Sequence, residues 1–107
     1  MSPKPLQVNY KFTGTRAEYE AANLPWGQPF AEWLGLRWKI WLMNEAAGEA
    51  GGIVLFDNEA ARQAYIDGPL AEAQSDSTVS DITFKRFDVL DELSAITRGP
   101  LGQSVRA

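Results

Sequence analysis

Two absences define which side chains of this chain could do chemistry. Neither cysteine nor histidine occurs among the 107 residues. Thiolate nucleophiles, disulfides, iron–sulfur clusters and thiolate-bound zinc are thereby excluded. So are the commonest general base and the usual proximal haem ligand. Catalysis must run on carboxylates, tyrosine, lysine, arginine, asparagine, hydroxyls or an external cofactor. Arg86 is the sharpest candidate. Alternation puts it on the strand face of Ile82 and Phe84, which should point at helices, and a buried guanidinium is costly unless paired. In a cavity it would hold a phenolate, enolate or carboxylate and lower the pKa of that group. The competing reading is an arginine near a strand end, reaching solvent or a structural glutamate.

Tyr10 and Tyr65 could each direct a hydroxyl into such a cavity as donor or acid–base group. Equally, each could be a core tyrosine with its hydroxyl at the rim. Asn44 could bond a carbonyl or peroxy oxygen, although a strand-to-turn junction is a common place for asparagine. Trp38 and Phe84 would wall an aromatic substrate or simply pack the core. Trp26 and Trp33 would form an aromatic lid or cap the core. Glu49, ahead of Gly51-Gly52, is either a base or a solvated turn residue, and the glycines mark tight backbone geometry. No phosphate loop, nucleotide fingerprint, catalytic triad or metal cluster is present.

The elements that must position these residues are organised around a hairpin. Leu36, Trp38, Ile40 and Leu42 alternate with Arg37, Lys39, Trp41 and Met43, which predicts a strand with the first set toward the helices. Residues 45–49 make the turn, and Ile53–Phe56 is the returning strand. Upstream, Leu6, Val8, Tyr10 and Phe12 predict a half-buried first strand after a loose lead-in over residues 1–5. Thr15 and Glu18 have capping-box spacing for a first helix, and Pro25 and Pro29 predict a break in it. Asp57-Asn58 should cap a second helix from about Glu59, ended or kinked at Gly68-Pro69 and followed by a short continuation over 70–73. Residues 81–90 read as the fourth strand, 92–95 as a turn of helix, and 98–107 as an irregular end.

The whole of 1–107 thus reads as one α+β domain with the ferredoxin-like order β-α-β-β-α-β, an antiparallel sheet with both helices on one face. The other face needs cover. A second copy packing sheet against sheet is the expected answer, over a surface of Trp41, Met43, Phe87, Gln7, Lys39 and Lys85, with the two lysines bridging the dimer. A net charge of −4 gives no electrostatic case for nucleic acid or anionic membrane. No apolar run approaches the roughly 20 residues that span a bilayer, and the N-terminus lacks the apolar core of a signal peptide, so a cytoplasmic location is the expectation.

The segments Gly35-Leu-Arg-Trp-Lys-Ile-Trp, Glu49-Ala-Gly-Gly-Ile-Val-Leu-Phe and Lys85-Arg-Phe-Asp-Val closely resemble motifs of the YdhR-like mono-oxygenase family. The likeness runs from about Leu6 to Leu90. It implies a homodimeric α+β barrel, related in fold to the antibiotic-biosynthesis mono-oxygenases, with a cavity between helices and sheet in each subunit. It also implies oxidation of small aromatic, polycyclic phenolic or quinol substrates without a cofactor, molecular oxygen being the co-substrate and the deprotonated substrate the electron donor. Arg86, Tyr65 and Asn44 are then the candidate catalytic residues, and Trp38, Tyr10, Trp26, Trp33 and Phe84 the candidate substrate-binding ones. A non-redox cyclase or isomerase on the same barrel, or a dimeric protein that binds an aromatic metabolite, are the alternatives. Trp26 and Trp33, where relatives more often carry smaller residues, and Arg86, often apolar in them, depart from the family pattern.

Overall fold

The computed structural model describes residues 2–102. The elements are β1 (Lys4–Phe12), α1 (Arg16–Ala31), β2 (Leu36–Asn44), β3 (Glu49–Phe56), α2 (Glu59–Tyr65), α3 (Ala71–Ala73), β4 (Val79–Arg86) and α4 (Asp91–Ile96). The four strands form one antiparallel sheet in the order β2-β3-β1-β4. This is the ferredoxin-like arrangement, with one helix crossing after β1 and a second after β3. Among the described residues no helix is long and apolar enough to cross a membrane.

Local chemistry accounts for the element boundaries. Glu18 N donates to Thr15 Oγ1 at 3.2 Å while Thr15 N donates to the Glu18 carboxylate at 2.8 Å, the reciprocal capping box that starts α1. Asn58 Oδ1 accepts from Ala61 N at 2.9 Å and starts α2. β1 begins at Lys4, inside the segment expected to be loose. Pairing with β4 starts only at Leu6, so Pro5 sits where its missing N–H costs little. β4 ends at Arg86, earlier than the expected Leu90, and the irregular end is seen over 98–102, with 103–107 outside the described residues.

The expected break in α1 does not occur. Pro25 and Pro29 lie inside one continuous 16-residue helix. Each proline removes one i→i−4 bond, but α1 buries no residue, so the carbonyls left without a helical donor can be hydrated. Pro69 is absorbed differently. The chain widens into a π-turn over Ile66–Leu70, which carries the proline between α2 and α3 without ending the helical run.

The most consequential departure is a β-bulge. β2 pairs with β3 as Leu36 opposite Phe56, then skips to Trp38 opposite Leu55. The extra residue, Arg37, shifts the alternation by one, and a one-residue slip sends every later side chain to the other face. Lys39 and Trp41 therefore face the helices. Trp38, Ile40 and Leu42 face away from them, the reverse of what unbroken alternation predicts. The core lies on the helix side and is built from Leu6, Val8, Leu36, Val54 and Phe56 of the sheet with Tyr65, Ile66 and Leu70 of the helical layer.

The outer face is partly covered by the segment after β4. Trp38 Nε1 donates to Pro100 O at 2.7 Å, and Ser2 Oγ donates to the Asp91 carboxylate at 2.6 Å. Ile40 and Leu42 are left 47% and 43% exposed on that face.

Candidate active site

Between α1 and the inner face of the sheet lies a cavity of about 920 Å³, at the upper end of the roughly 300–1,000 Å³ of small-molecule sites. Its floor comes from β1, β3 and β2. Glycines at 51 and 52 open that floor. A Cβ at Gly52 would stand 2.6 Å from Ile40 O, and one at Gly51 would overlap Val8 O, so a larger residue would push the strands apart.

Lys39 is the cation of this cavity. Its Nζ donates to Tyr65 Oη at 3.0 Å and lies 3.8 Å from the centroid of the Trp41 ring and 4.5 Å from that of Phe30. Cation–π contact and one phenol replace only part of the hydration that an ammonium group loses on burial. Among the described residues no carboxylate pairs with it. Desolvation accordingly pulls the Lys39 pKa down to about 8.

Tyr65 is held by aromatic neighbours on three sides, with ring centroids at 5.6 Å to Phe30, 5.4 Å to Phe56 and an edge-on 6.2 Å to Trp33. Burial pushes its hydroxyl well above the usual phenol range, so it stays protonated at neutral pH. A second polar centre sits further along the sheet. Lys39 is opposite Val54, whereas Tyr10 is opposite Ala50 and hence level with Met43, four residues along β2. At about 3.3 Å per residue that separates the two backbone positions by roughly 13 Å along the strands. There Tyr10 and Tyr19 share a short hydroxyl–hydroxyl bond. Burial first, and the bond to Tyr19 second, raise the Tyr10 pKa.

The roof is α1. Trp26 stacks on Phe30 at 5.8 Å, and Phe30 reaches Trp41 at 5.9 Å, so a train of rings runs from helix to sheet. Trp26 is 49% exposed at the cavity margin.

Of the residues singled out by sequence, Tyr10, Tyr65, Trp26 and Trp33 meet at this cavity. The others do not. Arg86 is exposed, donates to Gln63 Oε1 at 2.7 Å and is not in the cavity wall, because β4 ends there and the side chain runs past the core to solvent. Phe84 packs on the core from the same face without lining the cavity. Asn44 turns its Oδ1 back to Ala47 N at 3.2 Å and serves the hairpin turn. Trp38 lies on the outer face because of the Arg37 bulge. For the same reason Lys39 and Trp41, expected at a dimer surface, line the cavity instead. Glu49 stays out of the wall, at the start of β3.

Among the described residues the buried guanidinium is that of Arg62, 4% exposed. It is ion-paired to Glu59 on the same helix and donates to the carbonyls of Pro5 and Phe87, each at 2.8 Å. It ties α2 to the start of β1 and to the end of β4. Lys39 and Trp41 are cavity residues that alternation put on the wrong face, and Phe30 and Tyr19 of α1 line the cavity without having been singled out as site residues.

Two solved structures share the fold. A protein of unknown function from Nitrosomonas europaea, NE2512, superposes with a TM-score of 0.66 at 23% identity, covering 84% of this chain and 91% of that one. An asparagine-to-alanine mutant of SnoaB, a cofactor-independent oxygenase from Streptomyces nogalater, superposes with a TM-score of 0.66 at 15% identity, covering 84% and 95%. No curated protein matches the chain. The profile of the family described as "Putative mono-oxygenase ydhR" matches residues 6–100. That span contains the bulged hairpin, the aromatic cavity and the cavity lysine, and the chain belongs to this mono-oxygenase family.

Proposed function

We propose that the protein is a cofactor-independent mono-oxygenase for small aromatic or polycyclic phenolic and quinol substrates, with Lys39 as the group that ionises and holds the substrate. The observation that carries this reading is the Lys39 ammonium beside the aromatic wall of the cavity, bonded to Tyr65 and not ion-paired to any carboxylate among the described residues, although Glu18, Glu72 and Asp76 line the cavity elsewhere. Family membership and the fold shared with a cofactor-independent oxygenase support it.

The chemistry follows from the geometry. With a pKa near 8, Lys39 exchanges protons near neutral pH. As the amine it accepts the proton of a phenol or enol; as the ammonium it then stabilises the anion in a low-dielectric setting. The anion is electron-rich enough to reduce oxygen. Where a ring CH2 becomes C=O, one oxygen atom stays on carbon and the other leaves as water with the two hydrogens, so the substrate supplies all the electrons. Tyr65 donates to the same oxygen that Lys39 holds. Tyr10 and Tyr19 offer hydroxyls for a second oxygen function further along the cavity, and Trp26, Trp33 and Trp41 contact the ring faces.

A second copy completes the architecture in this proposal by covering the outer face, where Ile40, Leu42 and Phe87 are exposed and Leu90, Leu93 and Ile96 project from α4 and its approach. Light scattering is expected to show a dimer at micromolar concentration, and a stable monomer would overturn the dimeric barrel. Oxygen uptake with a panel of anthrone-like and quinol substrates, in buffer freed of metals and flavin, tests the activity. Turnover above the blank is expected; none across the panel contradicts the reading.

A further inference from the structure

Lys39 differs from the other lysines of the chain in its surroundings, and those surroundings also suit a reaction that the oxygenase reading does not use. The sequence has four, at positions 4, 11, 39 and 85. Only Lys39 of these lines the cavity. Lys4 is paired with Asp88 at 3.4 Å, and Lys11 and Lys85 are exposed. Around Lys39 Nζ, the Trp41 and Phe30 rings form two apolar walls, and the Tyr65 hydroxyl stands at 3.0 Å. A primary amine in an apolar pocket beside a protonated phenol is the arrangement that carbonyl capture needs: a nucleophile, a proton donor for the carbonyl oxygen, and restricted water.

We propose that Lys39 is a carbonyl-capturing amine that binds uncharged aromatic aldehydes reversibly as an imine within the cavity. The neutral amine adds its lone pair to the carbonyl carbon, forming a C–N bond. The Tyr65 hydroxyl protonates the carbonyl oxygen, and the proton shed by nitrogen returns to Tyr65. The carbinolamine then loses its hydroxyl as water, using a proton from Tyr65, and the remaining N–H proton restores the phenol. The sum is amine plus aldehyde giving imine plus water, with no oxidant or reductant consumed. The lowered Lys39 pKa supports the step, since about a tenth of the molecules carry the free amine at pH 7. The aromatic ring of the aldehyde would lie against Trp41 and Phe30. An aldehyde stands outside the phenol and quinol class of the oxygenase reading, so this would be a second use of the same side chain.

The test is reductive trapping. The folded full-length protein is incubated with 2-naphthaldehyde and sodium cyanoborohydride at neutral pH, and the sites are read by intact mass and peptide mapping. Lys39 is expected to gain the naphthylmethyl group at least about tenfold faster than Lys11 or Lys85 in the same molecules. The Tyr65→Phe variant should slow trapping at Lys39 while leaving the surface lysines unchanged, a readout that a merely structural tyrosine would not give. Trapping at Lys39 no faster than at Lys85 in the wild-type protein overturns the proposal, and this comparison needs no variant to fold. The assay runs without oxygen. Its failure and the failure of oxygen uptake are therefore separate results.

Discussion

Arg62 and Lys39 are two cations on the helix side of the sheet, and they are held in opposite ways. Arg62 directs its donors to the Glu59 carboxylate and to the carbonyls of Pro5 and Phe87, at the seam where α2, β1 and β4 meet. Lys39 has one phenol and two ring faces, and it looks into a cavity. A buried guanidinium with its fork filled is a structural fastening. A buried ammonium with donors to spare costs stability, and such a cost is found where a ligand is to be held. In the proposed reading Arg62 serves the fold and Lys39 the function.

Removing each cation should move stability in opposite directions. Arg62→Ala takes a donor from each of the Pro5 and Phe87 carbonyls and opens the α2–sheet seam; a loss of about 3 kcal/mol is expected, visible as a large drop in the thermal midpoint. Lys39→Met keeps the length and the apolar stem but discards the desolvated charge. In substrate turnover it should cost about a hundredfold or more in kcat/KM. At pH 7 it should nonetheless raise stability by about 1 kcal/mol, or roughly 4–8 °C for a domain of this size. A Lys39→Met protein that is both less stable and fully active would erase the distinction.

The pH windows sharpen the same contrast. Lys39 has a folded pKa of about 8 against an ordinary value near 10.4, so between those two pH values the unfolded chain binds more protons. Its contribution to stability therefore rises with pH through that window and is least favourable below it. Glu59 has the same sign of slope in a far more acidic window. The Arg62 hydrogen bond holds its carboxyl below the ordinary carboxylate range, so its contribution is present above that range and is lost as acidification proceeds through the folded pKa. Wild-type minus Lys39→Met stability, measured from pH 7 to 10.5, should climb; a flat difference would show that Lys39 is solvated.

The smallest effect is expected at Arg86. Exposed and bonded to Gln63, it should tolerate Arg86→Gln with less than about a twofold change in kcat/KM, since surface substitutions away from special features are close to neutral. A loss comparable to that of Lys39→Met would return the anion-holding role to Arg86.

How much of this was legible in the residues divides along the same line. The element order, the Thr15–Glu18 and Asn58 caps, the inner placement of Leu6, Val8 and Tyr10 and the inward side of Tyr65 follow from periodicity and capping chemistry, whereas Trp26 and Trp33 reach the cavity from a continuous helical stretch that the residues had marked as a break. The identity of the cavity cation did not. Alternation is a rule of period two, and one inserted residue, Arg37, inverts everything after it in β2. No local propensity marks that bulge, since it is a property of pairing with β3. The continuity of α1 escaped for a related reason: a proline costs a helix most where the carbonyl it frees is buried, and α1 buries no residue fully. Arg86 and Arg62 are indistinguishable by residue type, and only the tertiary seam decides which one is buried.

The central claim is that Lys39 is a desolvated cation kept for an anionic aromatic ligand. The most direct measurement is a titration of the Lys39 side-chain amine by NMR, in the free protein and with a naphthol bound. The account predicts a midpoint near 8 in the free protein, raised when the naphtholate pairs with the ammonium. A midpoint at the ordinary lysine value, unmoved by the ligand, would contradict it.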